Sequence, residues 1–105
     1  MIAFEAVLRE VRGLEAVELE RWIEARWVRA ERGQGGYAFH EIDVARLHLI
    51  VELRHEFLID EEAMPVVLHL LDQVHALRRQ LKSVVKAVES LPPETQALLR
   101  DRWHD

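Results

Sequence analysis

The sequence has no cysteine among its 105 residues. This absence excludes disulfides and thiolate metal sites, and it fits a chain that works in a reducing cytoplasm. Long apolar runs are also missing, since stretches such as residues 47–51 (LHLIV) are far too short to cross a bilayer. Residues 1–12 lack the apolar centre of a signal peptide. We therefore expect a cytoplasmic protein without a membrane span.

Positive charge is scarce as well. The sequence has 14 Lys and Arg against 19 Asp and Glu, a net charge of −5, whereas a general nucleic-acid binder carries a basic surface. The charge is uneven, because residues 37–62 hold seven acids and two bases while residues 63–91 hold two acids and four bases. This asymmetry favours a partner with its own charge pattern, and a purely solvated surface is the alternative reading.

Catalytic and metal-binding motifs are absent from the sequence. It contains no nucleophile elbow, phosphate-binding loop or zinc-protease signature. Six histidines are present, but no His-x3-His pair occurs, and zinc sites usually need three or four converging ligands. We therefore predict a protein that is not an enzyme and that holds no metal and no cofactor.

Apolar spacing predicts helices at the start of the chain. Residues 4–11 place Phe4, Val7 and Leu8 on one face, and Gly13 then allows a turn. A second helix is predicted over residues 15–27, with glutamates in its first turn, where negative charge suits the helix dipole. Two helices joined by a short glycine turn are the arrangement of a helix-turn-helix.

A glycine-rich stretch follows the second helix. Residues 28–31 and 37–39 alternate apolar and polar side chains on either side of residues 32–36, which predicts a small β-hairpin, or wing. Four aromatic residues predict a core between the second helix and this wing, although aromatics are also favoured as interface anchors; they are Trp22, Trp27, Tyr37 and Phe39.

Two further helices are predicted, over residues 41–56 and 61–90, with Asp60 as the N-cap of the second of these. The longer one carries a sustained heptad pattern, which predicts a homodimer whose parallel or antiparallel pairing is open. The seam residues are Val67, Leu70, Val74, Leu77, Leu81, Val84, Val88 and Leu91. Arg78, Arg79, Lys82 and Lys86 make a basic stripe on this helix, either to keep the seam soluble or to bind phosphate.

These elements divide the chain into a head, residues 1–60, a dimerisation helix, residues 61–91, and a tail, residues 92–105. The tail begins with two prolines, and a short helix is expected from residue 94. The predicted fold class is mainly α, a winged helix-turn-helix with a small hairpin wing and a long C-terminal dimerisation helix.

Residues 39–47 (FHEIDVARL) resemble the wing-to-helix junction of MerR-like winged helix-turn-helix proteins. Within that superfamily the sequence is most similar to the chaperone-modulator family of the CbpM type. The likeness lies in residues 53–56 (LRHE), Ile59 with Asp60, and residues 66–72 (VVLHLLD), and it extends over roughly residues 10–85. The resemblance implies a bacterial protein, cytoplasmic or nucleoid-associated, that binds the J-domain of a DnaJ/CbpA-like co-chaperone and inhibits it.

The second helix departs from the MerR pattern. MerR-type transcription factors usually carry bases on this helix and in the wing, whereas here the helix is rich in glutamate, and acids repel a phosphate backbone. J-domains are expected to display a basic helical face, so these acids form either the docking face for it or a solvated surface. The predicted contact residues are Glu15, Glu18, Glu20, Glu24 and Trp22. The alternative function is a MerR-like DNA-binding transcriptional regulator.

Overall fold

The computed structural model describes residues 1–103, which form five α-helices and one three-stranded antiparallel sheet. The strands are β1 (Ile2–Ala3), β2 (Glu31–Gly33) and β3 (Gly36–Phe39), and the helices are α1 (Phe4–Glu10), α2 (Ala16–Glu24), α3 (Glu41–His55), α4 (Met64–Glu89) and α5 (Pro93–Trp103). Two compact units are present, Met1–Leu68 and His69–Asp105. The predicted mainly helical fold, with its small wing and its long C-terminal helix, is confirmed.

The turn between α1 and α2 depends on a glycine. Gly13 has φ +81°, and a Cβ at this position would lie 3.2 Å from His55 Nε2 on α3. A larger residue would therefore be strained in its backbone and crowded by α3. The N-cap of the next helix is Glu15, whose backbone N–H donates to Glu18 Oε1 at 3.2 Å. The predicted helix-turn-helix is confirmed.

Helix α2 is shorter than the prediction, which extended it to Trp27. The helix ends at Glu24 because Arg26 adopts a left-handed conformation, with φ 63°. The Trp27 N–H then donates to the Trp22 carbonyl at 3.0 Å, and the two indole rings lie 5.9 Å apart. This is the Schellman arrangement, in which an apolar contact across the helix end accompanies the reversed chain. The Arg46 guanidinium donates to the Trp27 carbonyl and holds the reversal against α3.

The wing is a sheet of three strands in the order β1-β3-β2. Pairing of Gly33 with Gly36 leaves two residues in the hairpin turn, and Gly36 has φ +101°. The prediction of a strand over residues 28–31 was wrong, because Val28 is buried in the core and only Glu31 of that stretch pairs with β3. Strand β1 was not predicted, because a strand of two residues is too short to show an alternation of apolar and polar side chains.

The core of the first unit joins α1, α2, β3, α3 and the start of α4. Trp22 and Phe39 are fully buried in it, while Trp27 and Tyr37 are partly buried against it. Tyr37 packs on Phe4 of α1, with ring centroids 6.3 Å apart. The predicted aromatic core is therefore confirmed for two residues, and the other two lie at its edge. Its buried apolar residues are Val7, Val11, Leu14, Leu19, Trp22, Val28, Phe39, Val44, Leu47, Ile50, Met64 and Leu68.

The connection from α3 to α4 is tightly hydrogen-bonded. The Ile59 N–H donates to the Leu53 carbonyl at 3.0 Å, and the Ala63 N–H donates to Asp60 Oδ1 at 2.9 Å. Helix α4 begins at Met64 and not at residue 61 as predicted, because residues 61–63 form a turn that Asp60 caps. Pro65 is the second residue of α4, where its missing N–H costs no helical hydrogen bond.

The second unit holds most of α4, and α5. The Gln96 amide donates to the carbonyls of Glu89, at 3.2 Å, and Leu91, at 2.8 Å, which satisfies acceptors left free at the end of α4. The expected tail helix is confirmed and starts at Pro93, and residues 104–105 of the predicted tail lie outside the described residues. In this single chain most of the heptad seam is exposed, including Leu70, Val74, Leu77, Leu81 and Val84.

Candidate partner-binding surface

Helix α2 presents one face to the core and one to solvent. Leu19 and Trp22 are buried, and Ile23 is partly buried against the core. The opposite face carries Val17, Glu20, Arg21 and Glu24, all exposed. These four side chains recur at intervals of three and four residues and therefore form a continuous strip along the helix.

The four acids that were predicted to contact a partner have different roles in the structure. Glu18 pairs with Arg54 of α3, and its carboxylate also accepts the Glu15 N–H. The side chain of Glu18 is only 19% exposed. Glu18 thus stabilises the start of α2 and its contact with α3, and Glu15 is the N-cap residue of the same helix.

Glu20 and Glu24 are the acids that face solvent freely. Both are exposed, and within residues 1–103 neither carboxylate has a hydrogen bond or an ion pair. They stand four residues apart on one helix, so the two negative charges are neighbours across one turn. The acidic surface of α2 that a partner can reach therefore consists mainly of this pair.

Trp22 does not lie on this surface, contrary to the expectation that it contacts a partner. The residue is only 1% exposed, and its ring forms part of the core beneath α2. The Arg54 guanidinium carbon lies 5.2 Å from the ring centroid of Trp22, a cation–π contact. Trp22 therefore lies beneath the acidic strip and is not accessible to a partner there.

Arg54 joins the second helix to the third. Besides its ion pair with Glu18 and its stacking on Trp22, it donates from Nη2 to the Gly13 carbonyl at 2.9 Å. The Arg54 side chain is 21% exposed. A charged group this far from water needs such partners, and here they come from the turn, the first turn of α2 and the core.

A second ion pair links α2 to the α3–α4 connection. Arg21, on the outer strip, pairs with Glu61, and both side chains are about half exposed. Sequence analysis missed both ion pairs, because their partners are 36 and 40 residues apart. No spacing rule connects residues at such distances, so only the folded chain reveals them.

Three exposed arginines lie between the end of α2 and the turn of the hairpin. Arg26, Arg29 and Arg32 are exposed at the end of α2 and on the way into the hairpin. The Arg32 guanidinium carbon lies 5.3 Å from the Tyr37 ring centroid, which holds one of these charges on the wing. The segment that follows α2 thus carries bases, whereas the unpaired charges on the outer strip of α2 within residues 1–103 are acids.

Two other kinds of site are absent from residues 1–103. No group of three or more His, Asp or Glu side chains in this range is arranged so that it could hold a metal ion. No helix in the same range is both long enough and apolar enough to span a membrane.

The chain is similar to a known protein family. A family model described as MerR HTH family regulatory protein matches residues 5–86 of the chain. The matched range includes α1, α2, the hairpin, α3 and most of α4. No curated protein and no solved structure matches the chain.

The contacts of Arg54 generate a stability prediction. Arg54→Met keeps an apolar stem over Trp22 but removes the charge, which leaves the partly buried Glu18 carboxylate without its partner. We expect the free energy of unfolding to fall by about 2–3 kcal/mol in urea denaturation. Adding Glu18→Gln should restore about 1 kcal/mol, because the stranded charge is then gone.

Arg29→Met is the matched control, since this exposed arginine has no ion pair in the described part of the chain. It should change the free energy of unfolding by less than about 0.5 kcal/mol. An Arg54→Met protein as stable as the Arg29→Met control would show that the Arg54 contacts contribute little.

Proposed function

Because the chain belongs to the MerR family of helix-turn-helix regulatory proteins, a non-enzymatic family, we propose that it is a regulator that binds another protein. The proposed role is that of a chaperone modulator of the CbpM type. In this role it binds the J-domain of a DnaJ/CbpA-like co-chaperone and inhibits it. The proposed setting is the bacterial cytoplasm, with or without association with the nucleoid.

We base this proposal on the exposed carboxylates of Glu20 and Glu24, which form no ion pair within residues 1–103. They lie on the second helix of the helix-turn-helix, which in DNA-binding members of this architecture enters the major groove. Two unneutralised acids at that position oppose a phosphate backbone, whose neutralisation supplies much of DNA affinity. The same two acids complement a basic helical face on a protein.

The proposed inhibition is by occupancy. A J-domain is expected to use a basic helical face to engage its Hsp70 partner, and a protein seated on that face blocks the engagement without any chemical step. Complementary charge acts mainly on association rate and on choice of partner. Binding should therefore weaken as salt rises, because exposed charges are screened over about 10 Å at 0.1 M ionic strength.

A DNA-binding transcriptional regulator is the second candidate function. The observation in its favour is the exposed set of Arg26, Arg29 and Arg32 next to the hairpin. Bases at a wing suit phosphate contacts, which position a protein on DNA without reading its sequence. The net charge of −5 and the acids on α2 weigh against this candidate.

We also propose that α4, within the predicted range 61–91, is the dimerisation helix. A monomer would expose a long apolar stripe along α4, and stripes of this size on proteins are normally covered. The intervals of three and four along this stripe are those of coiled-coil seams. A second copy would cover the same residues on its own helix, as two-fold symmetry requires.

The acidic pair generates the main test. The double reversal Glu20→Lys/Glu24→Lys should slow association with a J-domain about tenfold or more at low salt, because attraction becomes repulsion. Surface plasmon resonance at two salt concentrations measures the association rate and its salt dependence. Circular dichroism should report unchanged helicity, since both positions are exposed.

The matched control is Glu5→Lys/Glu10→Lys, which makes the same charge change on exposed positions of α1. This variant should retain most of the wild-type association rate. Equal losses in both variants would mean that only net charge matters, and unchanged binding in Glu20→Lys/Glu24→Lys would place the contact elsewhere.

The second candidate function is tested by titration with duplex DNA. Fluorescence anisotropy near physiological salt should give a dissociation constant weaker than about 1 μM, because α2 offers few charges to neutralise phosphate. A sub-micromolar constant that weakens steeply with salt would favour the DNA-binding regulator instead.

The proposed coiled-coil seam of α4 predicts the oligomeric state of the protein in solution. Leu77→Asp should raise the dimer dissociation constant about 100-fold or more, because each copy would bury an unpaired carboxylate. Sedimentation equilibrium of the wild type should return a dimer, and of the variant a monomer at the same concentration. The control Ser83→Asp adds the same charge to α4 away from the seam, and this variant should stay dimeric. A wild-type protein that is monomeric at high micromolar concentration would contradict the proposed dimer.

A further inference from the structure

Two large apolar side chains protrude from the connection between α3 and α4. Phe57 is 62% exposed and Leu58 is 82% exposed, although their neighbours Leu53 and Ile59 pack against the core. A loop that could fold both side chains inward would gain by covering them, since burial of apolar surface is favourable. Exposed apolar side chains that lie together are typical of interaction surfaces.

The backbone of this loop keeps the two side chains outside. Leu58 has φ 55°, a left-handed conformation that a bulky residue rarely adopts. Hydrogen bonds fix the chain on both sides of it, from the Ile59 N–H to the Leu53 carbonyl and from the Ala63 N–H to Asp60. Strained residues that a surrounding hydrogen-bond network maintains are concentrated at functional sites.

The loop lies beside the outer strip of α2. The Arg21–Glu61 ion pair joins the loop to α2, and the Arg54–Glu18 ion pair joins the end of α3 to the same helix. Val17 lies one helical turn before Arg21 and is exposed. It is therefore on the same side of α2 as the residue that pairs with the loop. The connection that carries Phe57 and Leu58 is therefore joined to the proposed partner-binding strip through Glu61.

The charges around the exposed pair are mostly negative. Residues 52–62 contain five acids and one arginine, and that arginine, Arg54, is already paired with Glu18. A second copy that placed the same loop here would bring one acidic rim against another, which is repulsive. The second copy's α4, which carries a basic stripe beside its apolar seam, is the alternative occupant, and the dimer measurement below tests it. A helix with an apolar ridge and basic flanks matches both the apolar pair and its rim.

We infer that Phe57 and Leu58 are the apolar anchor of the partner-binding surface, and that their occupant is a basic amphipathic helix of the partner. This inference rests on the proposed function and adds to it the part of the surface that supplies affinity. Charges such as Glu20 and Glu24 govern the rate of encounter, whereas large apolar side chains that become buried govern dissociation. The two groups of residues therefore have different kinetic effects.

The test uses Leu58→Asn in the full chain. Asparagine tolerates the left-handed conformation better than leucine, and Leu58 makes little contact with the core, so stability should stay the same or rise. The dissociation rate of the J-domain complex should increase about tenfold or more, with a nearly unchanged association rate. Phe57→Gln provides a second variant with the same expected change.

Ile42→Gln is the matched control, since Ile42 is another highly exposed aliphatic residue but stands in the first turn of α3, at the opposite end of that helix. Thermal denaturation and sedimentation of each variant accompany the binding measurement. Faster dissociation in Leu58→Asn and Phe57→Gln, but not in Ile42→Gln, with wild-type mass and melting temperature, is the expected result.

The remaining outcomes separate this inference from the proposed function. Wild-type protein that binds no J-domain overturns both. Wild-type binding with unchanged dissociation in Leu58→Asn overturns the inference alone. Dissociation of the dimer in Leu58→Asn or Phe57→Gln also overturns it, because the exposed pair would then be a contact between two copies.

Discussion

The head of this protein depends on one guanidinium group that meets three separate parts of the chain. Arg54, at the end of α3, pairs with Glu18 at the start of α2, donates to the Gly13 carbonyl in the turn, and stacks on Trp22 in the core. Because its donors have a fixed planar geometry, satisfying them fixes the relative positions of α2, α3 and the turn. The orientation of the α2 outer strip follows from this arrangement.

The same interaction divides the acids of α2 by role. Glu18 is held by Arg54, and its carboxylate also receives the Glu15 N–H, so this charge serves the fold. Glu20 and Glu24 lie on the exposed face of α2, opposite its buried face. A helix can thus carry four glutamates of which two stabilise the head and two remain for recognition. Composition alone does not distinguish the two pairs, because helix geometry and the position of one arginine separate them.

The two compact units have different roles in the proposed function. Met1–Leu68 contains the buried core and both ion pairs of α2, so its surface is held in a defined shape. His69–Asp105 exposes an apolar stripe on α4, and the proposed covering for that stripe is a second copy. In this proposal the first unit binds the partner. Pairing of the long helix with that of a second copy gives a dimer with two such units.

Local sequence signals determined the order and type of most elements. Apolar periodicity located four of the five helices, Gly13 located the turn, and Pro92-Pro93 marked the start of the final helix, because these signals act over a few residues. The family resemblance through residues 39–47 gave the winged architecture. Only the tertiary structure decided where α2 ends, that β1 joins the wing, and that Trp22 is buried beneath the strip. It alone also revealed the Arg54 and Arg21 ion pairs and the exposed Phe57 and Leu58, since each depends on residues far apart in sequence or on a backbone conformation that leucine seldom adopts.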